Sequence, residues 1–369
     1  MQRTLKRRAR GFSLIELMVA VVLGIIVTLG IVTMFSGTQQ SFTTVKGQGR
    51  IQENGRYALD FVSRALRMTG YVGCVSTKVT IFNALAVPDP AIPFAARITE
   101  PLFAYQANGP FTPSVATDTT PGVWAPSLTD ATKGLPTVGV GAVPTALIRP
   151  GTDVLVVRSA NNNESLRATA SQGAANANLV VKAPADLTRF ANGTVVLASD
   201  CNKATIFQIS TGTVGGSNFT VQHHTGGAAP GNAGETVTQN ADSFFDLDST
   251  LYRISTAVFY IAPGAAGTNN RGTSVWSLWR KSDGDAPVEL VEGVHDLQVR
   301  FGVDTDNDGI PNRYETYAEA EAAGLTAAIV TVRVNVSTDS VDAVSTQNGG
   351  ETVLTRNFDT TVAVRNRVL

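Results

Sequence analysis

One long apolar run near the start of the chain sets the first prediction. From Phe12 to Phe35 the only charged residue is Glu16. As a helix these residues would measure about 36 Å, which exceeds the ~30 Å hydrocarbon core of a bilayer. We therefore predict a membrane-spanning helix over residues 12–35, preceded by a leader over residues 1–11. The leader is basic, so we expect the N-terminal end of the helix in the cytoplasm and the rest of the chain outside. The basic residues of the leader are Arg3, Lys6, Arg7, Arg8 and Arg10.

A helical period continues beyond this run. Apolar residues recur at spacings of three, four, seven and eight, at Ile51, Leu59, Val62, Ala65 and Leu66. Charged residues take the other face, at Arg50, Glu53, Arg56, Asp60 and Arg64. The pattern predicts an amphipathic continuation of the helix over residues 36–70. Because an interior glycine weakens a helix by about 1 kcal/mol relative to alanine, we expect a break between Gly37 and Gly49.

Residues 71–369 show the pattern of a β-rich body. Alternating valines from Val330 to Val336 predict a strand with one buried face. Because the predicted strands follow one another without helices between them, antiparallel pairing is expected. The fold class is α+β, with a long N-terminal helix packed on an antiparallel sheet, and residues 84–150, rich in Pro, Gly, Ala and Thr, are interpreted as an irregular insertion. The predicted strands cover residues 153–159, 194–199, 205–210, 218–224, 251–261, 274–281, 294–303, 328–336 and 360–366.

The composition limits the classes of function that this chain can have. The chain is 43% hydrophobic with 34 Gly and 16 Pro, which is typical of a globular, turn-rich protein. Outside the basic leader the acidic residues outnumber the basic ones, so nucleic acid is not the default partner. Three histidines, and the lack of a serine elbow, a phosphate-binding glycine loop or an HExxH motif, favour a protein that is not an enzyme.

Glu16 needs an explanation, because a carboxylate within a spanning helix costs roughly 2.5 to 3.5 kcal/mol at the centre and less near the end. The small residue Gly11 comes before the apolar run, unlike the cleavage site of an ordinary secretory signal. Cleavage after Gly11 would leave a cationic amine on Phe12, four residues from Glu16. The alternative is that the carboxylate extends to the membrane interface without a partner.

The stretch RARGFSLIELMVAVVLGIIVTLGI resembles the signal of type IV prepilins and of the related type II secretion pseudopilins. The matching positions are Gly11, Phe12, Leu14, Glu16 and the apolar run that follows. The resemblance implies that a prepilin peptidase cleaves after Gly11 and methylates the amine of Phe12. It also implies that Glu16 pairs with the amine of a neighbouring subunit, which would offset the burial of both charges during assembly.

Three further segments resemble the PilW family of minor type IV pilins: IQENGRYALDFVSRALRMTGYVGC, ASDCNKATIFQIS and NFDTTVAVRNRVL. This implies a structural subunit that primes or caps a pilus together with other minor pilins and the major pilin. Its location would be the inner membrane with a periplasmic body, and then the pilus. Two alternatives stay open: a type II secretion pseudopilin, and a calcium-dependent tip adhesin that presents residues 84–150.

The segment DTDNDGIPNRYE, residues 304–315, fits a twelve-residue calcium loop. A preceding strand and Pro311 argue against a paired EF-hand. An acidic turn without metal is the alternative, although three neighbouring carboxylates would repel one another without a cation. We expect Ca²⁺ on oxygen atoms of Asp304, Asp306, Asp308, Ile310, Asn312 and Glu315.

The chain has two cysteines, Cys74 and Cys201. In an oxidising periplasm they can form one disulfide, worth roughly 4 to 5 kcal/mol in the chain-entropy model. Two free thiols are the alternative. The resemblance to PilW segments at both positions favours the bond.

Overall fold

The computed structural model describes residues 12–75, 80–88, 91–107, 124–130, 133–136, 142–238, 245–282, 285–345 and 350–366. Helix α1, Leu14–Met68, is 55 residues long and unbroken. The predicted break between Gly37 and Gly49 is therefore wrong. The rise of a helix residue is about 1.5 Å, so α1 extends about 80 Å, and its second half lies on a β-rich body.

Where the structure describes it, the body is built of short and long strands with one short α-helix, α2, Tyr317–Ala322, and a few single turns of 3-10 helix. All nine strands predicted from sequence are present. The strands in chain order are β1 Phe82–Asn83, β2 Leu102–Ala107, β3 Trp124–Ala125, β4 Val154–Arg167, β5 Leu179–Lys182, β6 Val195–Ser199, β7 Ala204–Gln208, β8 Thr211–Gly215, β9 Asn218–Gln222, β10 Thr250–Thr268, β11 Ser274–Ser282, β12 Val288–Glu292, β13 Val294–Val303, β14 Arg313–Glu315, β15 Ile329–Asp339, β16 Val344–Ser345, β17 Glu351–Thr352 and β18 Thr355–Ala363.

Two sheets form most of the body. The larger has nine strands in the order β1-β7-β6-β10-β4-β2-β3, with β11 beside β10 and β12 beside β11. The smaller has the order β14-β13-β15-β18. Pairing is antiparallel except between β1 and β7, and small sheets of β16-β17 and β5-β9-β8 complete the body. The α+β, pilin-like fold class predicted from the sequence is thus confirmed.

The alternating valines of β15 are buried on one side, as predicted, and pack in a core shared by α1 and both large sheets. From α1 this core takes Ala58, Val62 and Leu66. Hydrophobic burial of this kind is the main force that holds a helix on a sheet. The membrane-length half of α1 takes no part in it.

Residues 84–150 are more than an irregular insertion. The segment LFAYQA forms β2, which pairs with β4 inside the larger sheet and is almost wholly buried. Its fully apolar first half is typical of a strand buried on both faces, which does not alternate. Residues 89–90, 108–123, 131–132 and 137–141 of the same region lie outside the described residues.

A buried carboxylate joins the two sheets. Asp153, directly before β4, accepts hydrogen bonds from the N–H of Ala107 at 3.0 Å and from the N–H of Val299 in β13 at 2.8 Å. Burial raises the pKa of Asp153 to about 6, against the lowering effect of these two hydrogen bonds and of Arg300. This carboxyl is therefore mostly ionised at neutral pH and becomes protonated as the pH falls through about 6.

Candidate functional site

The N-terminal end of α1 is closed by its own side chains. Ser13 is the N-cap residue, and its Oγ accepts from the N–H of Glu16 at 3.2 Å. The Glu16 carboxylate accepts in return from the N–H of Ser13 at 3.0 Å. Such a capping box satisfies two N–H groups that a helix leaves without partners. Glu16 therefore has a local role in starting the helix, whatever it binds in an assembly.

Glu16 and Phe12 are described, but the proposed cleavage residue Gly11 lies outside the described residues. The Phe12 side chain is 87% exposed. From there to Val45 the large apolar side chains of α1 are more than half exposed. This part of α1 is long and apolar enough to cross a membrane. It needs a lipid or protein environment to cover it.

The second half of α1 is tied to the body by polar contacts as well as by the core. Arg50 forms an ion pair with Glu292 at 3.0 Å, and the amide of Asn54 donates to the Glu292 carbonyl at 2.8 Å. Cys74, six residues after the helix, is joined to Cys201 in the turn between β6 and β7. The predicted disulfide is thus present, and it connects the end of the helix to the larger sheet.

The acidic loop follows β13. Asp304, Asp306 and Asp308 each offer a carboxylate oxygen within 4.8 Å of the others. Asp304 is almost buried, and its two oxygens accept from backbone N–H groups of the loop, including that of Gly309 at 2.8 Å. Burial raises the pKa of Asp304, but these hydrogen bonds outweigh it and hold the pKa below its usual value. The left-handed φ of 84° at Gly309 supplies the sharp turn expected at that residue.

Of the other expected calcium ligands, Asn312 contacts the cluster and Glu315 does not. Glu315 does not join the three aspartates: it lies in β14, opposite Phe301, and its Oε2 accepts from Arg313 Nε at 2.7 Å. The Asn312 amide donates to Asp306 Oδ2, and its oxygen accepts from Thr305. Ile310 is exposed. Because β14 begins at Arg313, it carries Glu315 about 7 Å along the strand from the loop.

The donor set fits a hard cation in part. Three carboxylates at short range are ligands that Ca²⁺ prefers. The bidentate glutamate of a twelve-residue loop is missing from the group, so any cation would need water or loop carbonyls to complete its shell. Ca²⁺ bound here would screen the repulsion between Asp306 and Asp308, which are both exposed.

Two contacts of α1 were missed in the sequence analysis, although the sequence carries signals for them. The capping box follows the pattern of a serine with a glutamate three residues later. Gly55 of α1 lies directly against the ring of Phe358, which an added Cβ would approach to 2.4 Å. A glycine on the apolar face of an amphipathic helix indicates such a close approach.

Comparison with known proteins gives two matches. A family model described as Type IV Pilus-assembly protein W matches residues 258–366, which contain the end of β10 and β11 to β18. A model described as Prokaryotic N-terminal methylation motif matches residues 6–32. No curated protein and no solved structure matches the chain. The resemblances noted at residues 51–74 and around Cys201 lie outside both matched ranges.

These two matches fall on the apolar first half of α1 and on strands of the body on which its second half lies. The methylation motif implies processing by a prepilin peptidase and assembly with other pilins. Both matches indicate a structural subunit, anchored in the membrane and associated with a pilus. The chain thus matches a PilW-type minor pilin of the type IV pilus and carries a prepilin signal.

Proposed function

We propose that this minor pilin primes or caps type IV pilus assembly, with its body on the periplasmic side of the inner membrane. The observation that carries the proposal is the division of α1: its second half is buried on its own body, whereas its first half is apolar and uncovered. Helices with uncovered apolar faces associate with one another, and head-to-tail contacts between subunits build open filaments.

A deletion strain tests this role. Loss of the chain should reduce the number of surface pili and leave type II secretion intact, and the wild-type gene should restore piliation. Immunogold labelling of a tagged full-length protein should mark pilus ends and not the whole shaft. Normal piliation with lost secretion would show that the pseudopilin alternative is correct, and label along the entire shaft would contradict a priming or capping position.

We also propose that the loop after β13 binds Ca²⁺ and that the cation orders the acidic turn. The cluster of Asp304, Asp306 and Asp308 supports this, because each carboxylate lies close enough to the others to share one ion. With only three carboxylates, the expected dissociation constant is on the order of 10⁻⁴ to 10⁻³ M, the range of extracellular modules. A calcium-dependent adhesive role at the tip would rest on this site.

Calorimetry on the detergent-solubilised full-length protein measures the affinity. The double variant Asp306→Asn, Asp308→Asn should lose binding, whereas Asp248→Asn, which changes an exposed aspartate elsewhere, should bind Ca²⁺ like wild type. Asp304 is left unchanged because it caps the loop's own N–H groups. Equal binding by the double variant and wild type would exclude the loop as the calcium site.

A further inference from the structure

A polar cavity of about 360 Å³ opens where strand β10 exchanges one neighbour for another. On one edge β10 pairs with β6 as far as Arg253, and with β11 from Ala257 onward. On the other edge it pairs with β4 throughout this region. Between Arg253 and Ala257 the first edge therefore has a notch, and the cavity is lined by Ile254 and Ser255 at this notch.

A bulge in β4 brings further polar groups to the cavity. Tyr252 pairs with Ser165 and Arg253 pairs with Asn161, so the three residues between Asn161 and Ser165 have no partner in β10. Bulges of this kind change the direction of side chains. Two of the bulged residues, Asn163 and Glu164, line the cavity.

Three arginines and two carboxylates line the cavity, and the arginines differ in their partners. Arg253 Nη1 lies 2.5 Å from Glu164 Oε2, and Arg189 Nη1 lies 3.1 Å from Glu164 Oε1. Arg189 also reaches Asp285 at 3.5 Å and Asp186 at 3.7 Å. Arg280, from β11, has no ion pair or hydrogen bond with any residue that the structure describes, and its Nε is shielded from solvent.

An arginine donor that is buried without an acceptor is unfavourable, by more than for a neutral group. The carboxylates of Glu164 and Asp285 are held by Arg189 and Arg253. Arg280 is therefore the arginine of the cavity that has no carboxylate partner among the described residues. A ligand with one negative charge would pair with Arg280, whereas a doubly charged phosphate would meet stronger repulsion from Glu164, Asp186 and Asp285.

The rest of the lining offers hydrogen bonds. Asn161, Asn163, Ser255 and Ser282 present amide and hydroxyl groups that donate and accept. The volume lies at the low end of the range for small-molecule sites, which fits a ligand with a single ring. Hydroxyl groups on such a ligand would find partners all around the arginine.

We propose that this cavity binds an acidic monosaccharide, with the sugar carboxylate on Arg280 and the ring hydroxyls on the neighbouring amide, hydroxyl and carboxylate groups. Arginine suits this role because its planar guanidinium binds a carboxylate through two parallel hydrogen bonds. The bulge in β4 and the notch beside β10 shape the site. This site is separate from α1 and from the acidic loop.

Ligand-observed NMR on the detergent-solubilised full-length protein tests the proposal with four probes: glucuronate, glucose, acetate and inorganic phosphate. Glucuronate should bind more tightly than the other three, because only it combines a single negative charge with ring hydroxyls. The variant Arg280→Gln should weaken glucuronate binding by about tenfold or more, the effect of losing a charge-assisted hydrogen bond. Arg333→Gln, which changes an exposed arginine of β15, should bind glucuronate like wild type.

Four outcomes would overturn the proposal. Glucose binding as tightly as glucuronate would exclude the carboxylate as the recognised group, and acetate doing so would exclude the sugar. Tighter binding of phosphate would contradict the preference for a single charge. Unchanged glucuronate binding in Arg280→Gln, with a melting temperature equal to wild type, would exclude this cavity.

Discussion

Gly55 is the glycine of α1 at which the helix comes closest to the body. An added Cβ would lie 2.4 Å from two ring carbons of Phe358 in β18. The position also lies in the buried stripe of the helix. By contrast, a Cβ at Gly49, less than two turns earlier on the same helix, would meet nothing within 4 Å. Substitutions at the two glycines therefore distinguish the effect of packing on stability from the effect of helix propensity.

We predict that Gly55→Leu lowers the free energy of unfolding by about 1–3 kcal/mol, because overpacking forces the Phe358 ring or the helix to move. Gly49→Leu should leave it unchanged or raise it by up to about 1 kcal/mol, because leucine is the better helix former. Urea unfolding of the full-length protein in detergent measures both. A Gly55→Leu variant as stable as Gly49→Leu would show that the helix does not approach the sheet as described.

Asp153 links stability to pH. Its pKa is raised by burial from 3.8 to about 6 in the folded protein. Between these values the folded state binds more protons than the unfolded chain, so this group makes the protein more stable as the pH falls from 6 towards 4. Above pH 6 the buried carboxylate is charged, and its contribution is least favourable there.

We predict that the free energy of unfolding of wild type, relative to Asp153→Asn, rises by about 1–1.5 kcal/mol between pH 7.5 and pH 5. The comparison with Asp153→Asn is needed because burial also raises the pKa of Asp296, whereas hydrogen bonds from Thr316 lower that of Glu319. Urea unfolding at the two pH values measures the difference. A relative stability that is constant or falls towards pH 5 would contradict the raised pKa.

At the scale of an element, α1 has a second apolar stripe that its own body leaves uncovered. Tyr57, Phe61 and Met68 are 51%, 38% and 44% exposed and recur at spacings of four and seven. Residues at these spacings share one face of a helix. The stripe continues the uncovered surface of the membrane half and faces away from the sheet, where a neighbouring pilin helix can pack.

We predict that Phe61→Ser reduces co-purification of this chain with other minor pilins while leaving the stability of the body within about 0.5 kcal/mol of wild type. A polar side chain cannot replace the apolar surface that an aromatic residue buries at an interface. Leu187→Ser, on an exposed turn of the body, is the matched control and should co-purify normally. An equal loss of co-purification in both variants would indicate a general defect of the protein and would contradict a specific role of this stripe.

The elements with a clear period could be predicted from the sequence, and the others could not. The nine strands and the helix over residues 36–70 have alternating or helical patterns. β2 lacks alternation because both of its faces are buried, so its pattern does not distinguish it from an apolar loop. The cavity at β10 depends on where β6 ends and β11 begins, and such pairing between distant segments is not encoded in local periodicity.

The acidic loop also shows that a local sequence pattern does not determine pairing between distant segments. Its residue spacing predicts six ligands, and the structure brings together three carboxylates with Asn312 beside Asp306 but leaves Glu315 out, because the chain re-enters a strand at Arg313. A spacing motif specifies a site only when the flanking elements are those of the motif's own fold. The aspartates at the start of the loop are determined by local turns, whereas the position of Glu315 is determined by pairing with β13.

At the scale of the whole molecule, Glu16 has a capping role in the structure and an assembly role that the prepilin resemblance implies, and a single substitution would confuse the two. Its carboxylate accepts from the N–H of Ser13 and so helps to start α1. In an assembled pilus the same carboxylate is expected to pair with the methylated amine of Phe12 on a neighbouring subunit. Alanine at this position removes the cap and the charge together. Glutamine removes only the charge, since its side-chain oxygen can still close a capping box.

We predict that Glu16→Gln and Glu16→Ala both abolish piliation, although Glu16→Gln keeps the helix start. Either change leaves the partner amine buried without a counter-charge, at a cost of about 3–5 kcal/mol, so co-purification with other minor pilins should fall by at least tenfold. Membrane insertion should be unaffected or easier, because a charge has left the spanning segment, and the melting temperature of the body should match wild type in both variants. Electron microscopy of complemented deletion strains counts the pili. If Glu16→Gln assembles like wild type while Glu16→Ala does not, the carboxylate serves assembly through the helix cap alone, and the intermolecular pair is excluded.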